Sequence, residues 1–178
     1  MHTNVMLDIE TFGRKAGCVV LSIGAVEFDE KTIGKEFEVN ISVTDSVKNG
    51  LHTDPETVLW WMKQSDEARS AITSGKAELL HRATAEFAAA FVWPNKRVWC
   101  NGASFDFPIL NALFAATQMD TPWKYWQEMD MRTIKNFVGK DVWKKLQGHD
   151  TLHTALGDAR AQARTLQAVF AKRFNWTL

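Results

Sequence analysis

The sequence predicts an α/β fold in which a mixed β-sheet is flanked by α-helices. Three observations lead there: alternating apolar residues mark strands at the start of the chain, helix and strand patterns then alternate, and an amphipathic helix closes it. A length of 178 residues with 46% hydrophobic and 24% charged residues suits one globular domain spanning 1–178 and excludes disordered and fibrous classes.

Val5, Leu7 and Ile9 alternate with Met6, Asp8 and Glu10, the period of a strand. The pattern continues over 19–28 and through Phe37, Val39 and Ile41, with Gly13, Gly17 and residues 29–34 as turns, so a three-stranded meander is expected. Asp54-Pro55-Glu56 supplies a helix cap, a proline at the first helical position and an acid in the first turn. A helix should therefore run through Trp60 and Trp61, with a short one over 66–72. Residues 76–91 are Ala-rich with mostly helical apolar spacing, and Pro94-Asn95 ends that helix. Val98-Trp99-Cys100 reads as a buried strand, and Phe107, Leu110 and Phe114 as a helix opening near Asp106, with Pro108 confined to its first turn. A strand over 126–131 and weaker helices over 133–137 and 142–146 follow. The last helix is the clearest, because Leu156, Ala159, Ala163, Leu166 and Phe170 recur at steps of three and four.

The 21 basic residues equal the 21 acidic ones, so the chain as a whole carries no basic surplus of the kind that coats duplex nucleic acid or anionic membranes. No signal peptide or transmembrane run is visible. Two cysteines in no metal-finger spacing, Cys18 and Cys100, suit a reduced cytoplasmic setting.

Asp8 and Glu10 point to one face of the first strand, with backbones roughly 7 Å apart. An isolated pair of this kind is most simply an exposed edge. Here the neighbouring strand is apolar on both faces, which suggests a central strand whose acids need the compensation that divalent cations supply. Asp106 lies where a helix should begin. Asp158 falls one turn into the last helix and His153 in the loop before it, because five helical residues turn roughly 500° and cannot share a face.

Asp8-Ile9-Glu10-Thr11, then Asn101-Gly102-Ala103-Ser104-Phe105-Asp106, then His153-Thr154-Ala155-Leu156-Gly157-Asp158-Ala159 resemble the three motifs of the DEDDh group of 3′-5′ exonucleases, the DnaQ-like superfamily, in their proper order. Residues 21–26 and Asp130-Met131-Arg132-Thr133 are further matches. Residues 57–65 look like the small bacterial and phage subgroup that includes exonuclease VIII-type proteins and adenylate-preferring exoribonucleases. One departure is Ser22, where many relatives carry glutamate.

The resemblance implies a ribonuclease H-like fold and a two-metal-ion 3′-5′ exonuclease that releases nucleoside 5′-monophosphates from single-stranded RNA or DNA. Asp8 would bridge two Mg²⁺ or Mn²⁺ ions, Glu10 and Asp158 would complete the first, and Asp106 would hold the second. His153 would be the general base. A tyrosine-using relative would place a tyrosine near Asp158, whereas the only tyrosine is Tyr125. Phe12, Phe105 and Trp61 are the expected base-stacking residues, and Ile9, Thr11 and Asn101 the expected contacts to the terminal nucleotide. His149 reads as a solvated loop residue. The expected partner is a single-stranded 3′ end, not a membrane, and relatives are often homodimers in which a partner lends basic surface. Arg14, Lys15, Lys140, Lys144 and Lys145 read as a solvated face or as such a surface. Two other classes stand beside this reading: a catalytically silent nucleic-acid-binding module, and a phosphohydrolase of small nucleotides.

Overall fold

A computed structural model describes residues 2–73, 76–148 and 154–172. Strands β1 (Asn4–Thr11), β2 (Val20–Phe28) and β3 (Ile33–Asn40) form the antiparallel meander, while β4 (Arg97–Cys100) and β5 (Glu128–Asp130) add in parallel on the other side of β1. The sheet order is β3-β2-β1-β4-β5. The first strand is thus the central one, as its apolar neighbour implied. The mixed sheet with helices on both faces is the expected fold class.

Helices α1 (Val43–Lys48), α2 (Pro55–Met62), α3 (Asp66–Thr73) and α4 (Leu80–Ala90) follow the meander, α5 (Ala103–Ala116) follows β4, and α6 (Met131–Val138), α7 (Lys140–Leu146) and α8 (Ala155–Ala171) end the fold. Alternation along β1 divides the core in two. Val5, Leu7 and Ile9 pack with Leu80 and Phe87 of α4 and with Phe107, Leu110 and Phe114 of α5. Met6, with Val26 and Phe28, packs on the other face with Met131 of α6, Trp143 of α7 and Ala159, Ala163 and Leu166 of α8.

Three local results depart from the sequence reading. Helix α1 has only Val43 and Val47 as apolar residues, and of these Val43 packs on the core; Ser42 caps the helix by accepting from the Asp45 amide, while Asp45 accepts from the Leu80 amide. Helix α5 begins at Ala103, three residues earlier than expected, which puts Pro108 beyond the first turn. The missing proline N–H would have met the carbonyl of Ser104, an exposed residue that water serves. The expected strand over 126–131 shrinks to three residues, because Tyr125–Gln127 closes a 3₁₀ turn in which Tyr125 and Trp126 are exposed. Among the described residues, no helix is long and apolar enough to cross a membrane.

Candidate active site

Asp8 and Glu10 leave β1 on the face that Met6 seals further along, at the point where α8 crosses the strand. The crossing is close because Gly24, paired with Asp8 across the sheet, has no side chain. A Cβ there would fall 2.1 Å from the backbone of Ala155 and Leu156. Thr154 caps α8 by accepting from the Gly157 amide, which sets Asp158 in the first turn. Ligand oxygens of Asp8, Glu10 and Asp158 lie within 4.8 Å of one another.

Asp106 comes from α5, the helix that follows β4 and packs on the Val5, Leu7 and Ile9 face of the sheet. Gly102 precedes α5 with φ 136°, a left-handed conformation that glycine adopts without strain, and the carboxyl of Asp106 is buried and hydrogen-bonded to the Cys100 thiol. Asp130 ties the neighbouring segments together: it caps α6 and also accepts from the Ala103 amide at the start of α5. The motif at 130–133 thereby braces the helix that carries Asp106.

The electrostatics describe a site short of positive charge. Burial, followed by the charges of Asp106 and Glu10, raises the Asp8 carboxyl well above the usual range. Burial and then Asp158 and Asp106 push Glu10 up to about 7. Burial also raises Asp106 to about 7, against the hydrogen bond from Cys100 and the charge of Arg132. Four carboxylates drawn together in this way gain from a cation what they lose in solvation.

Gln162, one turn beyond Asp158, is a member of this cluster that the motifs did not reveal. Its Nε2 donates to Oδ1 of Asp8 at 2.8 Å, while its Oε1 is buried without a hydrogen-bond partner. The signal available in the sequence was its spacing of four from Asp158, which puts both residues on one helix face.

Beside the acids lies a cleft of about 460 Å³ lined by Ile9, Glu10, Thr11, Trp60, Trp61 and Phe105, among others. Trp61 is 5% exposed and donates its Nε1 to the Thr11 carbonyl, so it forms the wall. Trp60 stands edge-on to it at 5.1 Å and is 54% exposed. The residue offering a free aromatic surface is therefore Trp60, one place before the expected one, because the single buried stripe of a surface helix takes only one of two adjacent residues. Phe12 and Phe105 are both half-buried and packed against the core, but of the two Phe105 lines the cleft. Ile9 and Thr11 line the cleft while mostly buried, and Asn101 is exposed at the end of β4, facing a second cleft that contains Asp158 and Gln162. His153 and His149 lie outside the described residues. Arg14 is paired with Asp54 and Glu56 at the rim.

Comparison with known proteins adds kinship to this geometry. Residues 3–170 match the family described as the 3′-5′ exoribonuclease Rv2179c-like domain. An exodeoxyribonuclease of Enterobacteria phage T4 is 26% identical over 160 residues, covering 72% of this chain and 68% of the phage protein. Among solved structures, E. coli exonuclease I in complex with a dT13 oligonucleotide superposes with a TM-score of 0.68, and its dA16 complex with 0.72, each at 18% identity. A zinc-bound form of that enzyme with single-stranded DNA gives 0.71. These matches cover 95–97% of this chain but only 41–42% of exonuclease I, so the likeness is one of fold and the chain spans about two fifths of that enzyme.

Proposed function

The chain belongs to the 3′-5′ exoribonuclease Rv2179c-like domain family, and from that membership we propose that its acidic cleft hydrolyses the last phosphodiester bond of a single-stranded nucleic acid from the 3′ end, releasing nucleoside 5′-monophosphates. The observation that carries this reading is the meeting of Asp8, Glu10 and Asp158 within 4.8 Å at the edge of an aromatic cleft. A pocket of hard, negatively charged oxygens suits a divalent metal, and a donor set of carboxylates favours Mg²⁺ or Mn²⁺ over softer ions.

In this reading Asp8, Glu10 and Asp158 would hold one cation, and Asp106 would help to hold a second. When bound, such ions supply a nucleophilic hydroxide near neutral pH and neutralise charge that builds on the phosphate and the leaving oxygen. The chain's own residues do the rest. Gln162 fixes one oxygen of Asp8, leaving the other to the metal side. Trp60 and Phe105 offer ring surface to the terminal base, which every base can use because each has a π-face. The general-base role belongs to His153 by its place in the third motif. Both cysteines are free and buried, in keeping with a cytoplasmic enzyme.

The family is described by its ribonuclease activity and the phage relative by its deoxyribonuclease activity, so the test uses both sugars. Matched 5′-labelled RNA and DNA 12-mers, incubated with Mg²⁺ or Mn²⁺, should shorten one nucleotide at a time, stop with a chelator, and persist with Asp8→Asn. Internal cuts, or shortening undiminished in Asp8→Asn, overturn the proposal.

A further inference from the structure

The equality of basic and acidic residues conceals an uneven distribution. Between positions 131 and 148 there are five basic residues, Arg132, Lys135, Lys140, Lys144 and Lys145, and a single acid, Asp141. This segment is the α6–α7 hairpin, which turns at Gly139 with φ 85°. Its inner side is anchored: Trp143 and Val138 pack with Ala159 and Ala163 of α8, the helix that bears Asp158. The lysines cannot drift independently of the acidic cluster.

The outer side is different. Lys135, Lys140, Lys144 and Lys145 are exposed, and among the described residues none of them forms a salt bridge. Lys135 lies 5.7 Å from the Trp143 ring centroid. Lys140 and Lys144 are four apart on α7, a like-charge spacing that weakens an isolated helix slightly, so helix stability does not account for them. Arg14, at the other end of the site, is by contrast already paired.

Shape joins these charges to the acids. A groove of about 350 Å³ is lined by Lys135, Asn136, Lys140, Trp143, Lys144 and Gln147. Three of these residues, Lys135, Trp143 and Gln147, also line the cleft of about 300 Å³ that holds Asp158 and Gln162. One depression therefore runs from Asp158 out to these lysines, while the aromatic cleft with Trp60 and Phe105 opens beside Glu10.

We infer that the α6–α7 groove carries the sugar-phosphate backbone on the 5′ side of the scissile bond, with the terminal nucleotide in the aromatic cleft. The inference rests on the exonuclease reading above and adds a direction to it. Charge complementarity names the occupant: evenly spaced phosphates meet unpaired ammonium groups, and aromatic surface serves bases where sequence-tolerant stacking is needed. The lysine contacts give affinity for long strands without reading sequence.

The test separates long from short substrates. Double variants Lys140→Gln/Lys144→Gln and Lys140→Glu/Lys144→Glu are compared with wild type on a single-stranded 12-mer and on a dinucleotide, over about 50 to 200 mM salt, with thermal melting to verify folding. Losing two phosphate contacts should lower the logarithmic salt slope for the 12-mer by about 1.4. The 12-mer kcat/KM should fall about 10-fold or more in the Glu variant through KM, with dinucleotide cleavage changing less than about 2-fold. Binding of a labelled 12-mer to the same variants in the Asp8→Asn background should weaken in parallel. Equal effects on both substrates, no effect on either, or tighter binding of a duplex than of the single strand overturns the groove assignment. Failure of the wild type to shorten any oligonucleotide would instead overturn the exonuclease reading, and the binding arm would then decide the groove alone.

Discussion

The two faces of β1 show how one strand serves two purposes. Val5, Leu7 and Ile9 enter a core sealed by large rings, where Phe87 alone lies within 5.4 to 6.4 Å of Phe37, Trp93, Phe114 and Trp123. Met6, Asp8 and Glu10 face α8, whose contacting residues include the small Ala155, Ala159 and Ala163. Large rings hold sheet and helix apart and remove water. Small residues allow a close approach, and close approach is what brings carboxylates from a strand and a helix together. The first face stores stability, and the second gives some of it up by crowding like charges.

That contrast can be broken most strongly at Asp8. With metal present, Asp8→Asn should lower kcat/KM by about 10³-fold, since metal assistance is worth several kcal/mol, yet the metal-free variant should melt no lower than wild type because a repulsive charge has gone. On the other face, Phe87→Ala should cost about 3–5 kcal/mol of unfolding free energy, read by denaturant titration, while kcat per folded molecule holds. If Phe87→Ala abolished turnover in folded protein, the division between faces would fail. Gly24→Ala touches both roles: a Cβ 2.1 Å from backbone must push α8 away, so it should cost about 1–3 kcal/mol and weaken Mn²⁺ binding, measured by calorimetry. Gln162→Leu keeps the bulk but releases Oδ1 of Asp8, and should reduce Mn²⁺ affinity about 10-fold with a small change in melting temperature.

A subtler comparison is stability against pH. Glu10 and Asp106 hold protons up to about 7 in the fold, against ordinary values of 4.5 and 3.8. Within that window the folded protein carries more protons than the unfolded chain, so stability is lost as pH rises through it. The metal-free protein should therefore melt at a lower temperature near pH 8 than near pH 5, Asp106→Asn should flatten the trend, and saturating Mn²⁺ should remove it. A metal-free melting temperature that rises across this range would contradict the crowding of these acids.

Much of the site was legible because its chemistry is written in short motifs. Asp8 and Glu10 sit on a strand whose period sends them to one face, and Asp158 sits at a capped helix start. Other features were hidden because they depend on what packs against them. Gln162 looks like any polar helical residue until β1 is laid beside α8. Trp60 and Trp61 cannot be told apart until the Thr11 carbonyl claims the second indole. Helix α1 is only six residues long; Ser42 caps it locally, and its tie to the rest of the fold, Asp45 accepting from the Leu80 amide, comes from far along the chain. The lysines of α6 and α7 read as a solvated face until the clefts beneath them were seen to join the acids.

The amino-acid sequence by itself determined most of the order of strands and helices and the central acidic strand, since periodicity and capping act between residues close along the chain, while resemblance to three short exonuclease motifs named the carboxylates. Tertiary structure alone decided which tryptophan faces solvent, which glutamine steadies Asp8 and where the unpaired lysines lie relative to the acids. Those outcomes turn on distances between segments far apart in the chain, and only packing fixes such distances.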